Sequence, residues 1–228
     1  MNRKILINIA LFLALLFHVS GLIGILFTPY KNWFIANTPV NLLVMALLLV
    51  LTHSSKNKNF FFFFFITIIA GFAVEAVGVN THVLFGNYTY GNVLGFKLFN
   101  VPLIIGINWF LIIYCTGMAT QVYENYMIRK IEAQGVSLNK RMKIISFVMD
   151  ASFLTVFFDW IMEPVAAKLG FWQWKQGDNL LYNYLCWIVI SALLLAVFRK
   201  LNRDSRNIFA VHLLIIQLLF FLVLRTFI

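Results

Sequence analysis

The sequence predicts an all-α integral membrane protein. Of its 228 residues, 62% are hydrophobic and only 11% are charged, whereas soluble domains contain about 45–50% apolar and ~25% charged residues. Apolar runs close to the ~20 residues that a helix needs to cross a bilayer recur along the whole chain. The basic residues lie in the short segments between these runs, so the formal charge of +10 indicates membrane topology rather than nucleic-acid binding.

Seven membrane spans are predicted within a single polytopic domain that covers residues 1–228. They fall at residues 5–27, 35–52, 59–80, 101–123, 144–167, 180–198 and 208–227. The first run follows Arg3 and Lys4, as in a signal peptide. Its apolar core is too long for one, however, and no small-residue cleavage site follows, so we expect an uncleaved span.

The basic residues also predict the orientation of the spans, because cytoplasmic loops carry an excess of Lys and Arg. One set of alternate loops holds thirteen of the eighteen: Arg3, Lys4, Lys56, Lys58, Arg129, Lys130, Lys140, Arg141, Lys143, Arg199, Lys200, Arg203 and Arg206. The other set holds five: Lys31, Lys97, Lys168, Lys175 and Arg225. We therefore expect a multi-pass protein of the cell membrane with its N-terminus inside and its C-terminus outside.

Cofactor chemistry finds no support in the residue pattern. Cys115 and Cys186 both lie inside apolar runs, which excludes a disulfide scaffold and predicts two free core thiols. The four histidines are scattered without the spacing of metal or haem ligands. Neither a phosphate-binding glycine loop nor a nucleophile elbow is present in the sequence. We expect no cofactor, no metal and no nucleic-acid partner.

The acidic residues divide into two groups. Four fall in or beside predicted loops and are expected to be solvated: Glu124, Glu132, Asp178 and Asp204. Four others fall inside predicted spans, where a charge costs at least ~2.5–3.5 kcal/mol at mid-bilayer: Glu75, Asp150, Asp159 and Glu163. Asp150 lies near the cytoplasmic end of its span, where Lys143 or lipid headgroups can satisfy it. The remaining three have no obvious basic partner.

These three acids define one candidate pocket. Asp159 and Glu163 are four residues apart and share one helix face, and Glu75 lies at a similar depth in the outer half of span three. Spans four and six begin on the outer side, so their early polar and aromatic residues reach the same level: Asn108, Trp109, Tyr182, Asn183 and Trp187. The plainer interpretation is a polar plug that holds helices together.

The two halves of this region have a similar layout. Each contains an acid on a helix, then an aromatic-x-aromatic loop, then a helix with an early Asn and Trp. The loops contain Tyr88-x-Tyr90 and Trp172-x-Trp174. This pattern predicts a weak parallel repeat of spans three–four and five–six, with a site at the repeat interface. An aromatic belt at the membrane surface is the alternative explanation for the rings.

Several motifs in this region resemble those of integral-membrane carotenoid biosynthesis proteins. They are Glu75-x-x-Gly78, Phe85-Gly86-x-Tyr88-x-Tyr90, Pro102 with Asn108-Trp109, Asp159-x-x-x-Glu163-Pro164 and Gly170-x-Trp172-x-Trp174. The family includes membrane-type carotenoid 1,2-hydratases and bisanhydrobacterioruberin hydratases. The resemblance covers roughly residues 70–190. It departs from the family pattern at His82, where a glycine is expected after Thr81.

The resemblance implies cofactor-free addition of water to the terminal C1–C2 double bond of an acyclic (ψ) carotenoid end. An apolar carotenoid would reach the site from the lipid bilayer, with other carotenoid-pathway enzymes as further partners. We expect Asp159 or Glu163 to act as the acid, and Glu75 and Asn108 to position water. The substrate-binding residues are expected to be Tyr88, Tyr90, Trp109, Trp172, Trp174, Asn183 and Trp187.

Two other functions fit part of the pattern. A membrane transporter or channel also has buried acids and repeats, but it needs a polar path that continues to the cytoplasmic face. A carotenoid or isoprenoid cyclase uses the same protonation without capturing water. A purely structural or pigment-binding role gives no reason to bury three acids.

Overall fold

The computed structural model describes residues 2–135, 137, 139–175, 180–202 and 205–228. Arg203, Asp178 and Asp204 lie outside the described residues, so their predicted positions are not addressed. The described part contains eight helices: α1 (Arg3–Phe27), α2 (Lys31–Ala36), α3 (Thr38–Thr52), α4 (Lys58–Thr81), α5 (Ile104–Ala133), α6 (Lys140–Lys168), α7 (Leu180–Leu201) and α8 (Ile208–Phe227). Four short strands accompany them: β1 (Tyr88–Tyr90), β2 (Lys97–Leu98), β3 (Val101–Pro102) and β4 (Trp172–Trp174).

The helices confirm an all-α membrane protein. Within the described ranges, six of them are long and apolar enough to cross a membrane, namely α1 and α4 to α8. The predicted span 35–52 corresponds to α3 and part of α2. The 15 residues of α3 rise about 22 Å at ~1.5 Å per residue, less than the ~30 Å hydrocarbon core. A seventh crossing therefore stays a prediction.

Helix α5 is the centre of the bundle. It contacts α3, α4, α6, α7 and α8, and every residue from 109 to 118 is buried. A helix that is apolar on all sides suits this position. The outer helices instead expose large apolar side chains on one side, such as Phe62 and Leu193, as expected for contact with lipid.

Helices α1, α4, α6 and α8 begin at one end of the bundle, where many of the basic residues lie. We call this the basic end. The Arg3 guanidinium donates to the Arg206 carbonyl oxygen at 2.6 Å, and the Arg206 amide donates to Ser54 Oγ at 2.9 Å. Asn57 and Asn139 cap α4 and α6 by accepting backbone N–H groups at 3.0 and 2.9 Å. These contacts join described residues from several segments that were predicted to face the cytoplasm.

The expectation of a solvated Glu124 is wrong, and of the two partners expected for Asp150 the structure excludes Lys143. Glu124 lies within α5, which continues well past the predicted boundary at residue 123, and its side chain is buried. Its side chain forms an ion pair with Arg199 at 2.7 Å. Lys143 does not pair with Asp150; it binds Glu132 at 2.9 Å, while Asp150 is exposed and accepts a hydrogen bond from Ser146.

At the opposite end, the two aromatic-x-aromatic loops pair with each other. Strands β1 and β4 form an antiparallel ribbon in which Tyr88 lies opposite Trp174, and Tyr90 lies opposite Trp172. We call residues 88–90 and 172–174 the aromatic ribbon. It continues to Gly91, whose amide donates to the Phe171 carbonyl oxygen at 2.9 Å. A Cβ atom on Gly91 would lie 2.0 Å from the Gly170 carbonyl oxygen, so this close approach requires glycine.

A proline lies inside α6, close to the aromatic ribbon. Pro164 has no N–H to donate to the carbonyl of Trp160 four residues earlier. Arg225 of α8 donates to that carbonyl at 3.0 Å, and its guanidinium lies 4.2 Å from the centre of the Trp160 ring. Because lipid offers no hydrogen-bond donor, this contact satisfies the exposed carbonyl and ties α8 to α6.

The predicted orientation can be tested by cysteine labelling. Cys115 and Cys186 are free but buried, so background labelling should be low. With an impermeant maleimide, Lys31→Cys should react on intact cells, whereas Lys130→Cys should react only after permeabilisation. Reaction of Lys130→Cys on intact cells would reverse the assigned orientation.

Candidate active site

Helices α4 to α7 and the aromatic ribbon surround a cavity at the end opposite the basic end. Its volume is about 30 Å³, enough for about two water molecules. Fourteen residues line it: Glu75, Phe85, Tyr88, Tyr90, Ile105, Asn108, Trp109, Asp159, Met162, Glu163, Trp172, Trp174, Asn183 and Trp187. The structure thus brings together all eleven residues predicted to be catalytic or substrate-binding. Their chemical roles remain predictions.

Glu75 is held by three donors from two other elements. Its Oε2 accepts from the hydroxyls of Tyr88 and Tyr90, the latter at 2.7 Å. Its Oε1 accepts from the indole N–H of Trp109 at 3.0 Å. Burial raises the pKa of both ribbon hydroxyls, so they keep their protons and donate. Both oxygens of Glu75 are therefore occupied as acceptors.

Glu163 is held by the other strand of the aromatic ribbon. Its Oε1 accepts from the indole N–H groups of Trp172, at 2.8 Å, and of Trp174. Its Oε2 accepts no hydrogen bond from the described residues. Each ribbon strand thus supplies two donors to the glutamate of its own half of the chain, which matches the predicted repeat.

Asp159 lies one helical turn before Glu163 and is 1% exposed. Its Oδ2 accepts from the Asn183 amide of α7 at 3.1 Å, and its other oxygen accepts nothing from the described residues. Asp159 and Glu163 are four residues apart on α6, so both side chains lie on the same face of the helix. Both ion pairs found between described residues involve acids of the basic end, so neither carboxyl group has a cationic partner among these residues.

Stacked indoles form one wall of the cavity. The rings of Trp109 and Trp187 lie 4.1 Å apart with an interplanar angle of 8°. Trp109 reaches this position because Gly71 has no side chain; a Cβ atom there would lie 2.4 Å from the Trp109 Cβ. The wall is thus formed by α5 and α7, with α4 packed directly behind Trp109.

An aromatic belt does not explain most of the tryptophans. Four of the six line the cavity. The other two, Trp33 and Trp160, are 61% and 46% exposed. The loop aromatics of the ribbon therefore build the site, and only the minority occupies positions typical of a membrane interface.

Some residues near the cavity lie where the sequence predicts, and others do not. Asn108 lines the cavity, and its amide makes no hydrogen bond within the described part of the chain, which leaves it available to a ligand. Tyr182 was expected in the pocket but is exposed outside it, where it donates to the Val83 carbonyl at 2.6 Å. Three lining residues are not among the predicted site residues: Phe85, Ile105 and Met162. Phe85 belongs to one of the motifs given above, and Ile105 and Met162 each lie about one turn from a predicted site residue on the same helix.

The departure at His82 affects the end of a helix. His82 ends α4 with φ +59°, a conformation that glycine adopts at no steric cost. Its amide donates to the Gly78 carbonyl at 2.8 Å. The histidine side chain is exposed and does not line the cavity, so this departure from the family pattern lies at the helix end and outside the cavity walls.

Together, the fold and the site define a polytopic membrane protein with three buried carboxyl groups around a small aromatic cavity. Comparison with protein families matches residues 37–228 to the family described as carotenoid biosynthesis protein. The chain belongs to this family and acts in carotenoid biosynthesis. The match extends beyond residues 70–190, where the motifs lie, and includes α8. No curated protein and no solved structure shows a significant match.

Proposed function

We propose that the protein is a carotenoid 1,2-hydratase, a hydro-lyase that adds water to the terminal C1–C2 double bond of an acyclic (ψ) carotenoid end. One observation carries this proposal: a cavity with room for water is lined by three carboxyl groups that lack cationic partners among the described residues. Membership of the family indicates a carotenoid substrate, and the cavity offers carboxyl groups, space for water and aromatic ring faces.

The pair Asp159 and Glu163 is the source of the proton. Each has one carboxyl oxygen without a donor among the described residues, so each can hold a proton that points into the cavity. Two interacting carboxyl groups share one proton more cheaply than they carry two negative charges. Transfer of this proton to C2 leaves the positive charge on C1, the more substituted carbon, which determines where water adds.

Glu75 has a different role because its hydrogen bonds differ. Three donors fill both of its oxygens, and these hydrogen bonds stabilise the carboxylate form against the cost of burying a charge. In its carboxylate form Glu75 stabilises the cation at C1, and the faces of Trp109 and Trp187 add a cation–π contribution. Asn108 orients the water that attacks C1. The carboxylate that gave its proton to C2 then accepts a proton from this water. Each turnover thus restores the starting protonation state without a cofactor.

The substrate must widen the site to bind. A carotenoid end group is larger than the 30 Å³ cavity, so ring side chains have to turn aside. Trp174 is the least buried ring of the cavity wall and is the side chain best placed to move. An apolar substrate approaching through the bilayer explains why the site lies among membrane spans.

Transport is less well supported than hydration. Below Asp159, the buried polar residues of α6 are Thr155 and Ser152. Their hydroxyls donate to carbonyls of the preceding turn at 2.8 and 2.7 Å. They are uncharged and already occupied, so along this helix they do not extend an ionisable path toward the basic end.

The reaction is tested by expressing the protein in a bacterium that makes lycopene or γ-carotene and measuring the pigment masses. Hydration predicts products heavier by one water per reacted end, and a tertiary alcohol at C1 by NMR. The matched control is the double variant Asp159→Asn/Glu163→Gln at equal protein level. A cyclic product of unchanged mass would instead identify a cyclase.

A further inference from the structure

A second cavity lies at the basic end, between the end of α5, the end of α7 and the start of α8. Its volume is about 540 Å³. Its lining is mostly polar and includes four basic side chains and one acid: Arg129, Lys143, Arg199, Arg206 and Glu132. This charge balance favours an anionic ligand, and the proposed hydration does not use any of these residues.

Two of the four basic side chains that line the cavity form ion pairs, and two do not. Arg199 is held by its ion pair with Glu124 at 2.7 Å, and its guanidinium lies 4.7 Å from the centre of the Phe147 ring. Lys143 is paired with Glu132. The guanidinium groups of Arg129 and Arg206 form no ion pair with any described residue, so their charge is available to a ligand.

An apolar groove adjoins this cavity. It lies between α5 and α6, has a volume of about 350 Å³, and shares Ile128 and Lys143 with the basic cavity. Its apolar lining includes Tyr123, Met127, Ile131 and Met142, and the polar side chains of Glu124, Ser146 and Asp150 complete it. A basic cavity continuous with an apolar groove matches a molecule that has an anionic head and a hydrocarbon tail.

We propose that the basic cavity and the adjoining groove bind an anionic phospholipid. The phosphate occupies the cavity and is bound by Arg129 and Arg206 through charge-assisted hydrogen bonds, while one acyl chain lies in the groove. In the predicted orientation this end faces the cytoplasmic leaflet, where anionic lipids attract basic residues. The bound lipid would bridge α5, α6 and α8 at the end opposite the carboxyl cavity.

The test measures lipid affinity of the purified full chain in detergent. Phosphatidylglycerol should bind about tenfold or more tightly than phosphatidylcholine with the same acyl chains. Arg129→Gln/Arg206→Gln should remove this preference. The matched control Lys56→Gln/Lys58→Gln removes the same charge from exposed residues of the basic end that do not line the cavity, and it should keep the preference. An unchanged thermal unfolding temperature shows that each variant is folded.

Three results would overturn the proposal. Equal affinity for phosphatidylglycerol and phosphatidylcholine would show that the cavity does not select an anionic headgroup. Equal weakening by both double variants would show general attraction to the basic end instead of a site. Binding of glycerol phosphate or inorganic phosphate as tightly as phosphatidylglycerol would assign the cavity to a soluble anion. A preference lost only in Arg129→Gln/Arg206→Gln supports the lipid site.

Discussion

Asp159→Asn and Glu163→Gln are each expected to lower the hydration rate about 10²–10⁴-fold, the usual cost of losing general acid–base catalysis. The amides keep the size of the side chains, and they can still accept hydrogen bonds from Asn183, Trp172 and Trp174. They cannot donate an acidic proton to an alkene. Because the two carboxyl groups are proposed to act as one proton-sharing unit, the double variant should be little worse than either single variant.

The matched control for these variants is Asp150→Asn, on the same helix. It makes the same chemical change in an exposed side chain that is bonded to Ser146, so hydration should stay near normal. Product should be quantified against membrane-inserted protein for every variant. Near-normal hydration by both the Asp159 and Glu163 amides would make the pair a structural plug and move the proton source elsewhere.

Gly71→Ala is expected to lower both stability and hydration. The new methyl group would lie 2.4 Å from the Cβ and Cγ atoms of Trp109, far inside contact distance. Overpacking of this kind typically costs about 1–3 kcal/mol. Relief of the clash must push Trp109 away from Glu75 and from its stacked partner Trp187, so the site should be damaged even where the protein still folds.

Gly21→Ala provides the comparison for this variant. Gly21 is also inside a membrane span, but a Cβ atom there meets the Phe220 ring at 3.4 Å, an ordinary contact. Thermal unfolding in detergent and product yield should therefore stay close to those of the unaltered protein. Equal unfolding temperatures and equal yields for Gly71→Ala and Gly21→Ala would show that the contact between residue 71 and Trp109 does not limit packing.

Much of the site could be predicted because the membrane makes polar residues rare and therefore informative. An acidic residue in an apolar run carries a high cost of burial, so the positions of Glu75, Asp159 and Glu163 in the sequence predict the cavity. Span depth then brought Asn108 and Asn183 to the same level. The boundaries of α1, α4, α7 and α8 lie within a few residues of the predicted spans, because apolar runs end where water begins.

Other features depend on contacts that the local sequence does not encode. The sequence does not show that α5 continues to Ala133, because a helix can extend beyond the membrane when Glu124 finds Arg199 on another helix. The pairing of Tyr88 with Trp174 joins segments more than eighty residues apart. The donors to each carboxyl group, which distinguish Glu75 from the acid pair, follow from that pairing and were not predictable.

During synthesis the cavity is completed late. β1 and β4 are separated by about eighty residues, so at about 5–20 residues per second the ribosome needs roughly 4–16 s to make the partner strand. Early in that interval the nascent chain already contains Glu75, Tyr88, Tyr90 and Trp109, whereas Asp159 and Glu163 are made only near its end. A chain arrested after α5 would hold the glutamate proposed to stabilise the cation, with β1 still exposing an unpaired strand edge, and would lack the carboxyl pair proposed to supply the proton.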